Sequence, residues 1–344
     1  MDFIQQPRGM VPVFTIIIPI IHSLEDLERC LASIEHLACP YERFHVVLID
    51  CQIVKGIEGF LREYLPKYHF RATVLTLPAQ HQTQTSWLIE ARLNEARNLA
   101  MQRVPGQYYV FTEDDCTFEP DWLQKFEAAF QENSGAFGGP DLLPENMGWF
   151  PRTLDCLLNS MLGTAGMRRG ESHTESYYPR KENMAIPANV FECIGPFPED
   201  MPLGAEMEMA ARIRKAGFQV KFLADNPVWH RRVTSISNFL RLASYLASQK
   251  VRILKQQHNF LRSLHFGMFL AILFIFLLGI LSFFTAAAQV ILASLFGIYL
   301  TALIFTGISC IRKTQSLSVG LGVLLLIPLH HTSIIIGIIR GMLT

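Results

Sequence analysis

Every carboxylate of this chain lies at or before Asp225, whereas lysine and arginine continue to Arg340. Lysine plus arginine and aspartate plus glutamate number 30 each, so the neutral total hides a division. The front is acidic by about ten charges and the back basic by as much, which points to a membrane or nucleic-acid surface. Hydropathy selects the membrane and sets nucleic acid aside. Residues 266–284, 289–308 and 316–339 carry no charged side chain, and each approaches the roughly 20 residues that a spanning helix needs. The pattern predicts a soluble front and a membrane-embedded rear.

The stretch from Met1 to Pro12 is short, mixed and without an apolar signal-peptide core, so the front is expected to stay in the cytosol. Arg252, Lys255 and Arg262 before the first span, and Arg312 and Lys313 between the second and third, agree with that orientation. Three spans would place the C-terminus outside, although Pro328, His330 and His331 interrupt the third and leave a re-entrant path open. The expected location is the cell membrane, multi-pass, with the front domain cytosolic. The seven cysteines are scattered without metal-ligand or redox spacing and read as reduced thiols.

Phe14–Ile20 and His45–Asp50 are continuous, β-branched apolar runs that read as buried strands, followed by Ala72–Leu77 and Tyr108–Thr112. Helical patterns over Leu24–Ile34 (with Ser23 as N-cap), Gly59–Tyr64 and Ser86–Gln102 alternate with them. That alternation predicts an α/β domain with a mostly parallel sheet. Further on, Glu206–Ala216 reads as a helix stopped by Gly217, and Phe218–Leu223 as a strand. Residues 235–264 read as one amphipathic helix lying in the membrane interface, with Phe239, Leu242, Leu246, Ile253, Phe260 and Leu264 on its apolar stripe. A core-facing helix is the plain alternative.

The fourth strand ends in Glu113-Asp114-Asp115. Three adjacent carboxylates repel one another, and a strand end facing a cleft is a costly place to gather them. A divalent cation with a phosphate-bearing ligand would remove that cost, and ligands of open α/β sheets bind at the carboxyl ends of strands. A solvated acidic turn is the competing reading.

Four segments in order resemble a family 2 glycosyltransferase with the GT-A fold, a Rossmann-like, mostly parallel mixed sheet. They are the opening strand and helix (Phe14–Pro19, Leu27–Ile34), the Ala96-Arg97-Asn98 helix, the acidic strand end, and Gly204-Ala205-Glu206-Met207-Glu208 with Arg212. The resemblance covers about residues 14–230, and the C-terminal spans suit its membrane-bound branch. It implies a metal-dependent, hexosyltransferase-like enzyme using a nucleotide-sugar donor and Mg2+ or Mn2+. Asp115 and Glu113 would hold the cation, because alternate strand residues point the same way; Asp114, pointing oppositely, would meet ribose. Asp50 would accept from the nucleotide base. Arg97 offers a planar donor fork to phosphate or base, with Asn98 beside it. Asn183 would line the sugar pocket, Gly138-Gly139 would allow close backbone approach, and His230 would complete the metal site or touch the diphosphate. Glu206 is the expected base for the acceptor hydroxyl, with Glu208 as its alternate.

The chain departs from the family pattern at Glu113 (usually Asp), at Cys51-Gln52 after Asp50, and at Ala205. Gln249-Lys250-Val251-Arg252-Ile253 approaches a processive-synthase signature but lacks its tryptophan. The expected organisation is a cytosolic catalytic domain over 1–234, an interfacial helix over 235–264 and a membrane region over 265–344. The expected function is inverting transfer of a sugar to a lipid or lipid-linked acceptor at the cytosolic face. A processive polysaccharide synthase and a non-catalytic nucleotide-sugar-binding scaffold are the alternatives.

Overall fold

The structure, a computed structural model, describes residues 3–4, 12–78, 86–164, 177–199, 201, 204–231, 235–256 and 264–343. Two compact units emerge. One joins residues 1–145 to 167–232, and the other joins 146–166 to 233–344.

In the first unit the strands are β1 (Phe3–Ile4), β2 (Phe14–Ile20), β3 (Phe44–Asp50), β4 (Arg71–Thr76), β5 (Tyr108–Phe111), β6 (Cys116–Phe118), β7 (Ser134–Gly138), β8 (Asp141–Leu142), β9 (Met184–Pro187), β10 (Gln219–Phe222) and β11 (Val228–His230). Its helices are α1 (Leu24–Glu35), α2 (Ile57–Tyr64), α3 (Ser86–Arg103), α4 (Trp122–Ala129), α7 (Ala188–Ile194) and α8 (Ala205–Lys215). The second unit holds α5 (Trp149–Leu158), α6 (Met161–Thr164), α9 (Ile236–Gln256), α10 (Leu264–Leu281), α11 (Ala286–Thr314) and α12 (Leu317–Leu343).

The first unit is an eight-stranded mixed sheet in the order β1-β4-β3-β2-β5-β9-β7-β10. The four central strands β4, β3, β2 and β5 are parallel, and β9 runs against both β5 and β7. Residues of β2 alternate between two cores, as a two-residue period requires. Phe14, Ile16, Ile18 and Ile20 join Leu27, Leu31, Trp122 and Phe126 on one face. Ile17 joins Ala96, Ala100, Met209 and Ile213 on the other. Burial on both faces explains why these strands read as unbroken apolar runs. Ser23 caps α1 as expected, its Oγ accepting from the Asp26 amide at 3.1 Å.

A second, three-stranded sheet, β6-β11-β8, sits at the carboxyl end of β5. It exists because the chain turns sharply after Phe111: the Cys116 amide donates to the Glu113 carbonyl at 3.2 Å. Glu113-Asp114-Asp115 is therefore a turn between two strands and not the strand end that was expected.

In the second unit, Leu154, Leu157, Phe239, Leu303, Val319, Val323 and Ile327 share one core. Helix α9 is described from Ile236 to Gln256; 257–263, with Phe260 of the expected stripe, lie outside the described residues, and Leu264 opens α10. Its buried face is Phe239, Ala243, Ala247 and Val251, while Leu242 is exposed. The reason is close backbone contact: a Cβ at Gly337 of α12 would fall 2.0 Å from the Ser244 carbonyl oxygen. Only small residues allow such an approach, and a search for large apolar residues passes over them.

Two helices among the described residues, α11 and α12, are long and apolar enough to cross a membrane. The expected first span falls on α10, part of whose side chains lie outside the described residues.

Candidate active site

The carboxyl ends of β2, β3 and β5 point to one edge of the sheet, and the antiparallel partner β9 begins there. Pairing of Phe111 with Met184 brings the residues before β9 beside those after β5. Thr112 Oγ1 donates to the Glu182 carbonyl at 2.9 Å, and Lys181 Nζ lies 2.8 Å from Glu113 Oε1. Pairing of Cys116 with His230 brings the imidazole to the same turn. His230 Nε2 is 3.2 Å from Asp115 Oδ2, and its Nδ1 is 3.1 Å from Asp141 Oδ1. His22, in the loop after β2, reaches in from the other side, with Nε2 3.6 Å from Asp115 Oδ2.

The electrostatics separate the acids. Burial alone would push the Glu113 carboxyl up, but the Lys181 ammonium, with the His22 and His230 imidazoles, outweighs it and holds the pKa at about 2. Glu182 goes the other way, raised by burial and by the charge of Glu113. Burial would lower His22; the hydrogen bond to Asp114 and the charges of Asp115, Asp114 and Glu113 raise it instead, to about 9. His230 is likewise lifted well above its ordinary value against the cost of burial, by Asp115 and Asp141. Groups driven apart in this way mark a polar site rather than a solvated turn.

Among the described residues, two groups could hold a metal ion: His22 with Glu113 and Asp115, and Glu113 with Glu182 and His230. Glu182 Oε2 is buried without a hydrogen-bond partner, and Asp115 Oδ2 faces the two imidazoles. Buried carboxylate oxygens gathered with imidazole nitrogens suit a hard divalent cation. Glu113 and Asp115 come together as expected. His22 and Glu182 join them without any motif to signal it.

Asp114 is placed elsewhere. Its Oδ2 accepts from the backbone amides of Ile21 and His22 at 3.0 and 2.9 Å, and its Oδ1 lies 2.6 Å from His22 Nδ1. It is fully buried, so it fastens the loop after β2. Asn98 is also occupied: it donates to the Phe197 carbonyl and to Glu199, and accepts from the Phe197 amide. Asn94, one turn earlier, donates to the Pro198 and Met201 carbonyls. The two asparagines of α3 together hold the segment that leads to α8. Asn183 is a strut, accepting from Trp122 Nε1 at 3.0 Å and donating to the Asn226 carbonyl at 2.8 Å. Gly139 beside it packs against the chain's own backbone, since a Cβ there would meet the Asn226 carbonyl oxygen at 1.9 Å.

Asp50 ends β3, and its Oδ1 accepts from the Gln52 amide at 2.7 Å, closing a turn in which Gln52 has φ of 60°. Arg97 is buried and donates to Asn94 Oδ1 at 3.1 Å, while its Nε and Nη2 have no hydrogen-bond partner. Its Nη1 lies 3.6 Å from Glu206 Oε1 in the first turn of α8. Glu208 is bound to its own helix through Arg212 Nε at 3.1 Å. The two glutamates at the start of α8 therefore face different partners.

The profile of the glycosyl transferase family 2 matches residues 15–174, just under half of the chain, and the sheet described above is of GT-A type. A glycosyltransferase of Haloferax volcanii, AglE, is 22% identical over 215 residues. That alignment spans 62% of this chain and 66% of the relative, just under two thirds of its length. The mannosyltransferase PcManGT of Pyrobaculum calidifontis, solved with GDP-Man and Mn2+, superposes with a TM-score of 0.59 at 16% identity. The superposition covers 93% of this chain and 88% of that one, a likeness of fold.

Proposed function

We propose that this chain is a membrane-associated, inverting glycosyltransferase that moves a sugar from a nucleotide-sugar donor to a lipid or lipid-linked acceptor at the cytosolic face. The observation that carries the reading is the convergence of Glu113, Asp115, His230 and Lys181 on the turn after β5. The relatives' named activities and the PcManGT donor complex support it. The catalytic domain would comprise the first unit, anchored by the helices of the second, with Arg312 and Lys313 on the cytosolic side.

Asp115 and Glu113 would hold the divalent cation, Mg2+ or Mn2+, with His22, Glu182 and His230 within reach. When bound, such an ion neutralises charge on a departing diphosphate. Lys181 adds fixed positive charge at the same place. Arg97, with two unpartnered donors, would receive the donor's phosphate or base, and Asp50 would meet the base. Glu206 would take the proton of the acceptor hydroxyl as that oxygen bonds to the anomeric carbon. The bond from that carbon to the diphosphate breaks in the same step, and the nucleotide leaves with the electron pair. Asp114, Asn98 and Asn183 would act through position, holding the loops that carry these groups.

The test is metal-dependent turnover of a panel of nucleotide sugars by the full-length protein, alongside Asp115→Asn and Glu206→Gln. Transfer by the wild type and its loss in both variants is expected. Absence of both turnover and nucleotide binding overturns the enzyme reading, and a long polymer product replaces single transfer with processive synthesis.

A further inference from the structure

Asp141 belongs to no motif, yet it lies against a residue of the candidate cation site. We propose that it is a positioning residue which, through Nδ1 of His230, holds Nε2 of that imidazole on the divalent ion. The inference rests on the cation reading above and lies within the first unit.

Strand pairing sets the contact. Asp141 opens β8 and registers with Val228 of the parallel strand β11. Register partners point to one face of a sheet, as do residues two apart along a strand, so Asp141 shares the face of His230. Cys116 of β6 pairs with His230 from the other side and joins it to the acidic turn. The carboxylate and the imidazole meet at 3.1 Å, Oδ1 to Nδ1, and both residues are buried. The backbone around them is pinned as well. The Val228 amide donates to the Pro140 carbonyl at 2.9 Å, and the Leu223 amide to the Gly138 carbonyl at 2.8 Å. Asn183 Nδ2 donates to the Asn226 carbonyl at 2.8 Å.

The two ring nitrogens then have different tasks. An ionised carboxylate only accepts, so Nδ1 keeps its proton toward Asp141. Nε2 is left to face the site, where it lies 3.2 Å from Asp115 Oδ2. A histidine that ligates a metal gives its other N–H to a carboxylate, carbonyl or water, which fixes the ring and strengthens it as a donor. Asp141 enters neither group able to hold an ion, His22 with Glu113 and Asp115 or Glu113 with Glu182 and His230. It sits at the other nitrogen of the ring and acts through it. A pair serving the fold alone would show the same distances, and metal binding separates the two roles.

Binding of Mn2+, read from the paramagnetic resonance signal of the free ion, tests the assignment without turnover. The full-length protein in detergent is titrated alone and with UDP or GDP present, as wild type, Asp141→Asn, His230→Ala and the double variant. Competition against Mn2+ gives the affinity for Mg2+. Asp141→Asn keeps the shape of the side chain and removes its charge, and should weaken Mn2+ binding 10–100-fold. Mg2+ should lose less, because it prefers oxygen ligands whereas imidazole favours a transition ion. With His230→Ala in place, adding Asp141→Asn should change Mn2+ affinity by less than about twofold, since the ring it acts through has gone.

Wild-type Mn2+ affinity in Asp141→Asn overturns the proposal, and so does an equal loss with and without His230. A loss falling alike on Mn2+ and Mg2+ also overturns it, being collapse of the site, which thermal melts without metal would register. A wild type that binds neither ion in any state removes the cation reading and this proposal with it. The two failures are therefore distinguishable.

Discussion

The Nδ1 atom of His22 lies 2.6 Å from Oδ1 of Asp114, across 92 positions of sequence. The same carboxylate takes the amides of Ile21 and His22, so the middle acid of the triplet fastens one loop of the site while its neighbours face the other way. Removing one member of a buried charged pair costs about 3–5 kcal/mol. Asp114→Ala should therefore lower the melting temperature of the detergent-solubilised protein markedly as well as its activity. A wild-type melting temperature in this variant excludes the anchoring role.

The two glutamates of α8 can be ranked by kinetics. Glu206→Gln should reduce kcat by about 100-fold or more, the usual scale for a general base, and leave donor affinity nearly unchanged. Glu208→Gln should leave kcat within a few-fold of wild type, because Glu208 is tied to Arg212 of its own helix. The opposite ranking exchanges their roles.

Chelation addresses the carboxylate group. Treatment with EDTA should abolish sugar transfer, and Mn2+ or Mg2+ should restore it. Glu113→Gln should raise the metal concentration needed for half-maximal rate, since it leaves Lys181 facing an amide in place of a carboxylate. Full activity in EDTA would remove the cation from the proposal.

Gly139→Ala should destabilise the fold by about 3 kcal/mol or more, at the upper end for an overpacked site. The added Cβ would sit 1.9 Å from a backbone carbonyl oxygen, which no rotamer change can relieve. Urea denaturation compared with wild type reads the loss, and an unchanged midpoint contradicts the close approach.

His45 supplies a pH dependence away from the site. Burial, with the charge of Arg71, lowers its pKa from 6.5 to about 4, and its Nε2 pairs with Thr73 Oγ1 at 2.8 Å. The unfolded chain binds the proton first, so stability rises with pH across this window. The contribution is present above about pH 6.5 and is lost as pH falls toward 4, on the order of 3 kcal/mol in all. Thermal melts from pH 7 to 4 should show a shallower decline in His45→Gln than in wild type. Equal slopes would refute the assignment.

Much of the parallel core was legible because it follows from local chemistry. Phe14–Ile20 and His45–Asp50 read as buried strands for the reason that they are buried on both faces. Ser23 read as a cap because its hydroxyl has one evident use. The site was legible in part. Glu113 and Asp115 stand out as clustered acids, but their expected geometry assumed a strand where the chain makes a turn. Lys181, Glu182 and Asp141 are brought in by strand pairing, and His22 by its hydrogen bonds to Asp114. Asn98 and Asn183 read as ligand-facing because a lone polar side chain does not disclose its partner.

What the chain determined by itself is whatever depends on neighbours in sequence: the two-residue alternation of the parallel strands, the gathering of carboxylates after Phe111, and the lack of charge in the C-terminal segments. The tertiary structure decided the rest, because each remaining question turned on groups far apart in sequence. Asp114 was assigned to a loop by the backbone amides of Ile21 and His22, just after β2, and Arg97 was set against Glu206 across the fold.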